Sequence, residues 1–511
     1  MNAQTTAETL ALVKAAQGAP SSELAKAWTQ SGTATSGITA YDLEAPSKKL
    51  YPVITPLRNE IPRVSGKGGI QANWRAVTGV NTASVSAGVS GGNRGGIITS
   101  TTADYTAAYK GLGLEDYVTF EADYAAEGFE DMKALAVEGL LRSMMIQEEM
   151  IILGGNSSTS LANTPTPSLT SANLASGAGL TGNTGYGVGC VALTLEGYLM
   201  SSLTGGIIQS FTRTNAGVSS TDSVSGGTAL PSTQANIINA NTGNTTISAS
   251  VTAVAGAMAY AWFWGANSGN LTLGAITTLN SVLISGAAGG TASGNGIVNF
   301  QALSASDKSK NTLIFDGLLA FASQSGLNSY QKVLATGTPG TGTQLTADGR
   351  GGIVEIDALL KDRWDKYRLT PDTIWVNSQE MQAIAIATAN TSTSGAQRIV
   401  FNQDAGNVVG GSVIVRSYLN KFAMAGNTEL KIRLHPNMPA GTMLFTTMRL
   451  PYPLSNVSNV MQMRMRRDYY QIEWPQISRK YEYGIDEDGV LQHFFPPSLG
   501  VITNIAPTTS G

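Results

Sequence analysis

Few residues of this sequence have the types and spacing that chemistry requires. The strongest pattern is GVSGG at Gly88–Gly92, which matches the G-x-S-x-G arrangement of a serine nucleophile. That arrangement needs a buried strand before the serine and a helix after it, so that the turn exposes the hydroxyl. Here low-complexity Gly, Ser and Thr residues flank the motif on both sides. The sequence therefore predicts a loop at this position and not a catalytic serine.

Two further segments suggest ligands but lack the rest of each motif. Gly66-Lys67-Gly68 lies upstream of the glycine-rich loop, yet no G-x-x-x-x-G-K-[ST] motif follows a strand and opens a helix. The acidic run Asp486-Glu487-Asp488-Gly489 could bind calcium, but the acidic ligand expected farther along the chain is missing. Because Asp-Gly is a common two-residue turn, we interpret Asp488-Gly489 as the turn of a hairpin.

The chain has few histidine and cysteine residues with which to bind metals or catalyse a reaction. The chain has two histidines, His435 and His493, and one cysteine, Cys190. These are too few for a histidine-based metal cluster, a cysteine-clustered zinc site or an internal disulfide framework. His435 precedes a proline at the start of a loop and His493 lies in an alternating strand, so we expect structural roles for both. We predict no catalytic residue, no metal and no cofactor.

Charge is distributed very unevenly along the chain. Of 32 Lys and Arg and 35 Asp and Glu residues, only Glu196, Arg213 and Asp222 lie within residues 156–306. Short apolar runs with Gly, Asn and Ser turns in this segment predict an inserted β-sandwich, immunoglobulin-like at about 228–290. A polysaccharide-cleaving enzyme would need paired carboxylates in a groove, for which the segment offers only Glu196 and Asp222.

Composition excludes two other classes of function. A net charge of −3 argues against a strongly basic nucleic-acid binder. Ile247–Trp264 is uncharged and long enough to span a bilayer, but Ser248, Ser250 and Thr252 alternate with apolar residues at the period of a strand. The N-terminus also lacks the basic and apolar regions of a secretory signal. We expect a soluble protein with no membrane partner.

The first flank contains a ribbon and a long helix. Two strand-like runs, at 70–80 and 103–124, flank a Gly/Ser/Thr tip and predict a two-stranded ribbon. An isolated ribbon has no apolar layer on which to close, so we expect it to lie on another subunit. Residues 129–153 have the spacing of an amphipathic helix, with Glu148 and Glu149 among the charged residues on its polar side.

The second flank mixes helices and strands. GGIVEIDALLKDRWDKY predicts a helix with the ion pairs Asp357–Lys361 and Asp362–Lys366 on its exposed side. TIWV follows as a buried strand, and Asn377 with Glu380 resembles a capping box that opens another helix. Farther on, MQMRMRRDYYQIEW alternates methionines with Gln and Arg, which predicts a strand with a basic face.

The order of these elements resembles the major capsid proteins of tailed bacteriophages, which have the Hong Kong 97-like fold. TPLRNEIPRVSGKGGIQANWRAV is similar to the start of the extended loop, and EDMKALAVEGLLRSMMIQEEMIILGG to the spine helix. ADGRGGIVEIDALLKDRWDKYRLTPDTIWVNSQEM is similar to the axial-domain helix and strand, and LPYPLSNVSNVMQMRMRRDYYQIEWPQ to the returning peripheral strands. The resemblance covers roughly residues 50–155 and 305–505.

The resemblance implies an α+β protein with a Hong Kong 97-like capsid fold and an inserted all-β sandwich. Six segments are expected: an N-terminal arm at 1–55, the extended β-ribbon loop with the start of the peripheral domain at 56–128, the spine helix at 129–155, the insertion at 156–306, the axial domain at 307–440 and a C-terminal return to the peripheral domain at 441–511. We expect Gly154-Gly155 to be a flexible joint from which the insertion projects outward.

The resemblance also implies a function and its partners. The chain would be a non-enzymatic subunit that assembles into pentamers and hexamers of an icosahedral shell around double-stranded DNA, contacted non-specifically. A separate scaffolding protein, a portal and a decoration protein are the other expected partners. The protein would belong to the virion capsid and assemble in the host bacterial cytoplasm. Alternatives are a tail tube or decoration protein, an encapsulin-like compartment shell and, as a third class, an enzyme.

Candidate site residues follow from the ribbon and the returning strands. The expected contacts between subunits are Trp74, Arg75, Tyr105, Tyr109, Tyr117, Arg464, Arg466 and Arg467. Some members of the family join their subunits by Lys–Asn isopeptide bonds, for which the candidates here are Lys67, Lys110, Asn456 and Asn459. That chemistry needs a neutral lysine in an apolar niche beside a carboxylate, which the sequence does not indicate.

Overall fold

The computed structural model describes residues 52–80, 87–128, 130–173, 179–182, 184–214, 220–238, 244–266, 269–292, 294–389, 415–423, 429–452 and 455–508. The arm expected at 1–55 lies outside these residues except for its last four positions. The described chain forms two compact units. The smaller contains Gly113–Ile146 and Gln471–Ile485, and the larger contains Pro56–Leu112, Gln147–Tyr470 and Asp486–Gly511.

Helices and strands both occur throughout the described chain. The helices are α1 (Pro56–Glu60), α2 (Phe120–Ala125), α3 (Met132–Gly154), α4 (Leu195–Met200), α5 (Leu318–Ser323), α6 (Val354–Tyr367) and α7 (Ser378–Ala389). The strands are β1 (Arg63–Ser65), β2 (Gln71–Val80), β3 (Ser100–Ala108), β4 (Lys110–Thr119), β5 (Ser168–Asn173), β6 (Leu180–Thr181), β7 (Gly185–Leu193), β8 (Ser210–Thr214), β9 (Thr221–Ser225), β10 (Ala235–Ile238), β11 (Asn244–Ser250), β12 (Ala259–Ala266), β13 (Thr272–Thr277), β14 (Ser281–Ile284), β15 (Tyr330–Val333), β16 (Thr373–Val376), β17 (Ser417–Leu419), β18 (Glu429–Leu434), β19 (Met443–Thr446), β20 (Met461–Glu473), β21 (Lys480–His493) and β22 (Gly500–Thr503).

The smaller unit is built around the junction of β4 and α2. Thr119 caps α2 by accepting a hydrogen bond from the Ala122 N–H, which satisfies a backbone donor in the first turn. The rings of Phe120 and Tyr481 pack with centroids 4.8 Å apart. Lys133 lies over the Tyr481 ring at 3.9 Å and pairs with an aspartate of α2 at 2.8 Å. These contacts hold the first half of α3 against the strand end.

The long helix is confirmed, but the prediction for two of its acids is wrong. The predicted span of 129–153 agrees with α3 at Met132–Gly154. Glu148 and Glu149 were expected on the polar side, yet neither has any exposed surface. Both carboxyl groups accept hydrogen bonds from other segments of the larger unit, which offset their removal from water. The helix therefore carries a buried acidic pair at its C-terminal half.

The returning strands are confirmed, whereas the predicted hairpin at Asp488-Gly489 is wrong. Met461, Met463 and Met465 of β20 are buried, as their alternation predicts. The strand β21 passes through Asp488 and Gly489 without a turn. A Cβ at Gly489 would meet the sulfur of Met465 at 2.5 Å, so glycine permits close packing of the two strands. The acidic residue beside it pairs with Arg466 instead of opening a turn.

The charge-poor segment forms a β-sandwich. One sheet has the order β10-β7-β12-β13 and the other β14-β11-β5, with β6 also paired to β11. Inward side chains of both sheets, including Val188, Trp262 and Ile247, share one buried core. The strands begin at Ser168, so the sandwich extends well before the predicted 228–290. The strand interpretation of Ile247–Trp264 is confirmed, since it contains most of β11 and of β12.

The sandwich is packed against the rest of the larger unit, which contradicts a flexible joint. A Cβ at Gly155 would meet the Phe315 carbonyl oxygen at 2.4 Å, so this glycine marks a close approach of two backbones. Leu195 and Met258 of the segment belong to the same buried core as Phe315 and Leu318. Polar contacts add to this core, because the Asn280 N–H donates to Asn504 Oδ1 at 3.0 Å.

A six-stranded sheet with the order β15-β22-β19-β16-β18-β17 occupies the second flank. The four residues of β16 are all buried, as predicted for TIWV. Asp362 and Lys366 of α6 pair at 2.7 Å as expected, but the pair Asp357–Lys361 is wrong. Asp357 instead accepts a hydrogen bond from Lys421 Nζ at 2.6 Å. The same ammonium group also donates to Asp348, so Lys421 lies between two carboxylates.

The predicted capping box is half confirmed. Asn377 Oδ1 accepts a hydrogen bond from the Gln379 N–H at 2.9 Å and caps α7. Glu380 does not complete the box, because its Oε1 accepts from the Gly441 N–H at 2.7 Å. Its side chain is buried, and burial raises the pKa of Glu380 to about 7.

Candidate assembly surface and the ionic cluster at its root

The ribbon is a two-stranded sheet within the larger unit. β2 pairs with β3 in antiparallel register from Gln71 opposite Ala108 to Val80 opposite Ser100. Trp74 stacks on Tyr105 across the strands with ring centroids 5.8 Å apart. Trp74 also contacts Phe494 edge-on at 5.9 Å, so the base of the ribbon does pack on its own chain. The expectation of no supporting layer therefore holds for the distal part only.

The ribbon exposes large apolar side chains from its base to its tip. Ile70 and Ile97 have 81% and 89% of their surfaces exposed. Val77, Val89 and Ile98 are also exposed. Single exposed apolar residues are ordinary on a protein surface, but a group of five on one thin element is typical of a contact surface. We call these five residues the ribbon surface.

The tip contains the serine of the G-x-S-x-G motif. Ser90 lies in an exposed loop, and its hydroxyl oxygen accepts a hydrogen bond from Asn93 Nδ2 at 2.7 Å. Neither a strand precedes this serine nor a helix follows it within the described tip. The local context that strains and exposes a nucleophile is therefore missing, as the sequence predicts.

The predicted contact residues have different environments. Arg75 and Asp104 form an exposed cross-strand ion pair at 2.6 Å on the ribbon. Tyr109 lies under the guanidinium of Arg466, 5.6 Å from its ring centroid. Tyr117, in the smaller unit, is exposed beneath a lysine ammonium at 4.7 Å. Each of these groups already has a partner within the chain.

The basic face of β20 is only partly available to another molecule. Arg466 Nε donates to Asp488 at 2.6 Å, and its Nη1 donates to the Gly69 carbonyl at 3.0 Å. Arg467 is exposed and lies over the Tyr470 ring at 3.5 Å. Arg464 is half-buried, and its Nε has no hydrogen-bond partner within the described residues. Arg466 thus joins the strand to the root of the ribbon.

The candidate cross-link residues do not show the environment that an isopeptide bond requires. Lys67 is exposed. Lys110 Nζ donates to the Thr312 carbonyl oxygen at 2.5 Å. Asn456 is exposed and Asn459 is half-buried. Within the described residues, Lys67 therefore lacks the apolar niche and the neighbouring carboxylate that the reaction needs.

A buried ionic cluster lies at the root of the ribbon, around Glu148 of α3. Arg58 Nε donates to Glu148 Oε2 at 2.8 Å, while Arg63 and the Tyr469 hydroxyl also donate to this carboxyl group. Burial and the nearby carboxyl groups raise the pKa of Tyr469, so the phenol keeps its proton and acts as a donor. We call Arg58, Arg63, Glu148, Asp468, Tyr469 and Glu487 the ionic cluster.

Glu149 holds the start of α1 from the next position along α3. Its two carboxyl oxygens accept from the Leu57 N–H at 2.9 Å and from the Arg58 N–H at 2.7 Å. His435 Nδ1 accepts from the Asn437 N–H at 3.2 Å, so its proton lies on Nε2. Nε2 then donates to Glu149 Oε1 at 2.7 Å. The structural role expected for His435 is thus confirmed, with Glu149 as its partner.

Sequence reasoning missed both buried glutamates and Glu487. A signal was present in α3, because two adjacent acids lie between Ile146 and the apolar run Met150–Leu153. Met144–Ile146 and Met150–Leu153 on either side of the two acids are apolar, so no continuous polar face runs through this half of the helix. Their partners come from distant parts of the chain and give no local pattern.

Two further buried titratable groups lie outside the ionic cluster. His493 is buried beside the Phe321 ring, and burial lowers its pKa to about 3, so the imidazole is neutral. Glu196 accepts from Asn311 Nδ2 at 2.7 Å, and burial raises its pKa to about 7. Within the described ranges no group of three His, Cys, Asp or Glu residues has a metal-binding arrangement. None of the helices described has the length and apolar character needed to cross a membrane.

Solved structures similar to this chain include phage capsid proteins and an encapsulin. The cyanophage A-1(L) capsid has 10% identity and a TM-score of 0.40, covering 92% of this chain and 97% of its own. The capsid of the native GTA particle has 8% identity and a TM-score of 0.39, covering 92% and 96%. The SrpI encapsulin of Synechococcus elongatus PCC 7942 has 9% identity and a TM-score of 0.39, covering 91% and 95%. No family model and no curated protein matches the sequence.

Proposed function

We propose that this chain is the structural subunit of an icosahedral phage shell with a Hong Kong 97-like fold. The observation that carries the proposal is the ribbon surface: five exposed apolar side chains at the base, on the strand and at the tip of the two-stranded ribbon. Covering apolar area of this kind with another surface is favourable in water. Because the element order resembles that of a self-assembling capsid protein, the covering surface is a second copy of this chain.

The finer parts of the proposal concern the assembly and its contents. The copies form pentamers and hexamers around packaged double-stranded DNA in the virion, with assembly in the host cytoplasm. Portal, scaffolding and decoration proteins are its further partners. The segments 56–128, 129–155, 307–440 and 441–511 act as the extended loop, spine, axial domain and peripheral return. The sandwich within 156–306 is an immunoglobulin-like decoration that is packed onto this scaffold.

Two observations weigh against the alternatives. An enzyme would need a reactive group at a cleft, yet Glu148 and Glu487 of the ionic cluster are buried and paired with arginines. A tail tube or decoration protein would be equally compatible with a sandwich, but it gives no reason for a 23-residue helix that anchors the root of a ribbon. An encapsulin-like shell differs from a phage capsid in its contents, so packaged DNA separates the two.

The test places polar groups on the ribbon surface. The double variant Ile97→Asn/Ile98→Asn removes apolar area that is exposed in the subunit, so its melting temperature should stay within about 2 °C of the native value. Negative-stain microscopy should show shells for the native chain and unassembled subunits for the variant. The matched control is Ile238→Asn, which changes an isoleucine that is 74% exposed on the sandwich and should still form shells.

Three outcomes would contradict the proposal. Normal shells from the ribbon variant would show that the ribbon surface is not needed for assembly. Tubes or small particles from the native chain would favour a tail or decoration protein. Loss of assembly in both variants would mean that the effect is not specific to the ribbon.

Covalent cross-linking is a separate prediction. Because Lys67 is exposed and Lys110 is hydrogen-bonded to a carbonyl, neither has the niche that activates a lysine. Mature particles boiled in detergent should therefore run as a single band at 53.2 kDa. A ladder of multiples would instead identify an isopeptide bond, and Lys67→Arg and Lys110→Arg would show which lysine forms it.

A further inference from the structure

One guanidinium in the ionic cluster serves three carboxyl groups. Arg63 donates through Nη2 to Glu148 and to Glu487 Oε2 at 3.1 Å, and through Nη1 to Asp468 at 3.2 Å. Arg58 adds a second guanidinium on Glu148. Glu148 and Glu487 are buried, whereas 55% of the Asp468 side chain is exposed. Two buried carboxyl groups therefore share one nitrogen of Arg63, and their negative charges repel at close range if both are ionised.

Glu487 is the member of the cluster best suited to hold a proton. Its side chain is 1% exposed, and its Oε1 has no hydrogen-bond partner within the described residues. Its Oε2 has only the guanidinium that it shares with Glu148 and Asp468. Burial, followed by repulsion from Glu148, raises the pKa of Glu487 to about 8 against the attraction of Arg63. The neutral acid removes the repulsion between the two buried carboxyl groups.

The titratable groups that act on Glu487 come from four elements packed around it. They are Arg58 of α1, Arg63 of β1, Glu148 of α3, and Asp468 and Tyr469 of β20. On its own strand, Asp488 pairs with Arg466, and burial raises the pKa of Asp486 against the attraction of Arg467. Asp488 is thus engaged with a cation outside the ionic cluster.

We propose that the carboxyl group of Glu487 is a protonation-dependent latch on Pro56–Ser65, the segment that leads into the ribbon. With its proton in place, Glu487 does not repel Glu148, and Arg63 holds β1 against β20. Loss of the proton adds a buried negative charge beside Glu148, and hydration of the charge favours opening of the site. The three-residue strand β1 is the element that opens most easily, because it pairs only with β20.

The latch gives the ribbon two states. When it is closed, the direction of the ribbon is fixed by its root, and when it is open, the root is free to turn. This regulation of the assembly surface rests on the proposed function for its biological meaning. The opening itself is a property of the single chain, so it is measured before any assembly takes place.

Trypsin cleavage of the unassembled full-length chain tests the latch. Cleavage after Arg63 requires β1 to open, whereas Lys67 lies exposed in the turn before β2 and reports the activity of the protease. The ratio of the two cleavage rates should rise about tenfold between pH 7 and pH 9 in the native chain. In Glu487→Gln, which keeps a neutral side chain of the same shape, the ratio should change less than about twofold.

The matched control is Glu473→Gln, which neutralises an exposed carboxyl group on β20 and should behave like the native chain. An equal rise in Glu487→Gln, or no rise in the native chain, would overturn the latch. Microscopy of the same samples scores assembly separately. A working latch in a chain that forms no shells would therefore leave the inference standing and reject the proposed function.

Discussion

Glu149 shows at the scale of one residue how a buried charge can organise its surroundings. The carboxyl group accepts from two backbone N–H groups at the start of α1 and from His435, so it has three donors in a buried site. An isosteric amide has one acceptor oxygen and places its own N–H groups against these donors. We expect Glu149→Gln to lose about 2–4 kcal/mol of unfolding free energy.

Chemical denaturation measures this loss, and the same helix offers a matched control. Glu138 pairs with Arg142 on the surface of α3 with partial exposure. Exposed pairs at this spacing contribute little, so Glu138→Gln should change the unfolding free energy by less than about 0.5 kcal/mol. Equal effects of the two substitutions would mean that the buried contacts of Glu149 have no special role.

The folding stability should depend on pH because of three buried carboxyl groups. Burial raises the pKa of Glu196 and Glu380 to about 7, and that of Glu487 to about 8, each from an ordinary value of 4.5. A raised pKa in the folded state means that folding favours the protonated form. The stability that each of these groups contributes is fully present below about pH 4.5 and is lost as the pH rises through 7 to 8.

We therefore expect the unfolding free energy to fall by about 2 kcal/mol or more between pH 5 and pH 9. Urea denaturation at intervals of one pH unit measures the slope. The triple variant Glu196→Gln/Glu380→Gln/Glu487→Gln should have a distinctly smaller slope, because its amides do not titrate. Equal slopes would assign the pH dependence to other groups.

At the scale of elements, the sequence predicted what depends on local pattern. The alternation of Met461, Met463 and Met465 predicted a strand with a buried face, and apolar spacing predicted α3 to within a few residues. Asp488-Gly489 was misread because the same dipeptide suits a turn and a close strand contact, and only the position of Met465 distinguishes them. The partners of Glu148 lie about 90 and more than 300 residues away, beyond any local pattern.

The end of α3 gives a prediction for an element junction. Gly155 approaches the Phe315 carbonyl so closely that a methyl group would clash with backbone atoms. We expect Gly155→Ala to cost about 1–3 kcal/mol of unfolding free energy. Gly139 lies in the same helix with no atom within 4 Å of an added Cβ, so Gly139→Ala should stabilise the protein by about 0.5–1 kcal/mol. If both substitutions stabilise, the junction is a flexible joint after all.

The whole molecule joins the insertion to its scaffold through a shared core. The charge-poor composition of 156–306 suggests an independent module, because such a block has its own strands and few reactive groups. Its sandwich does have a separate core, but Leu195 and Met258 complete a second core with Phe315 and Leu318. Only tertiary packing decides which apolar residues face a neighbouring segment. The sequence therefore predicted the β-sandwich but not the core that it shares with the rest of the larger unit.

Excision of the insertion is the prediction that belongs to this scale. Replacement of Ser157–Gly296 by a short Gly/Ser linker removes Leu195 and Met258 and exposes the side chains of Phe315, Leu318 and their neighbours. The loss of two buried side chains alone costs about 3 kcal/mol or more, so we expect a lower melting temperature and poor assembly.

As a control, replacement of only Thr212–Ser223 removes most of a hairpin whose strands pair with each other. That variant should melt within about 3 °C of the native chain and form shells of the same diameter, because both cores stay covered when the hairpin is removed. Native melting and intact shells after the full excision would instead show that the insertion is an independent decoration.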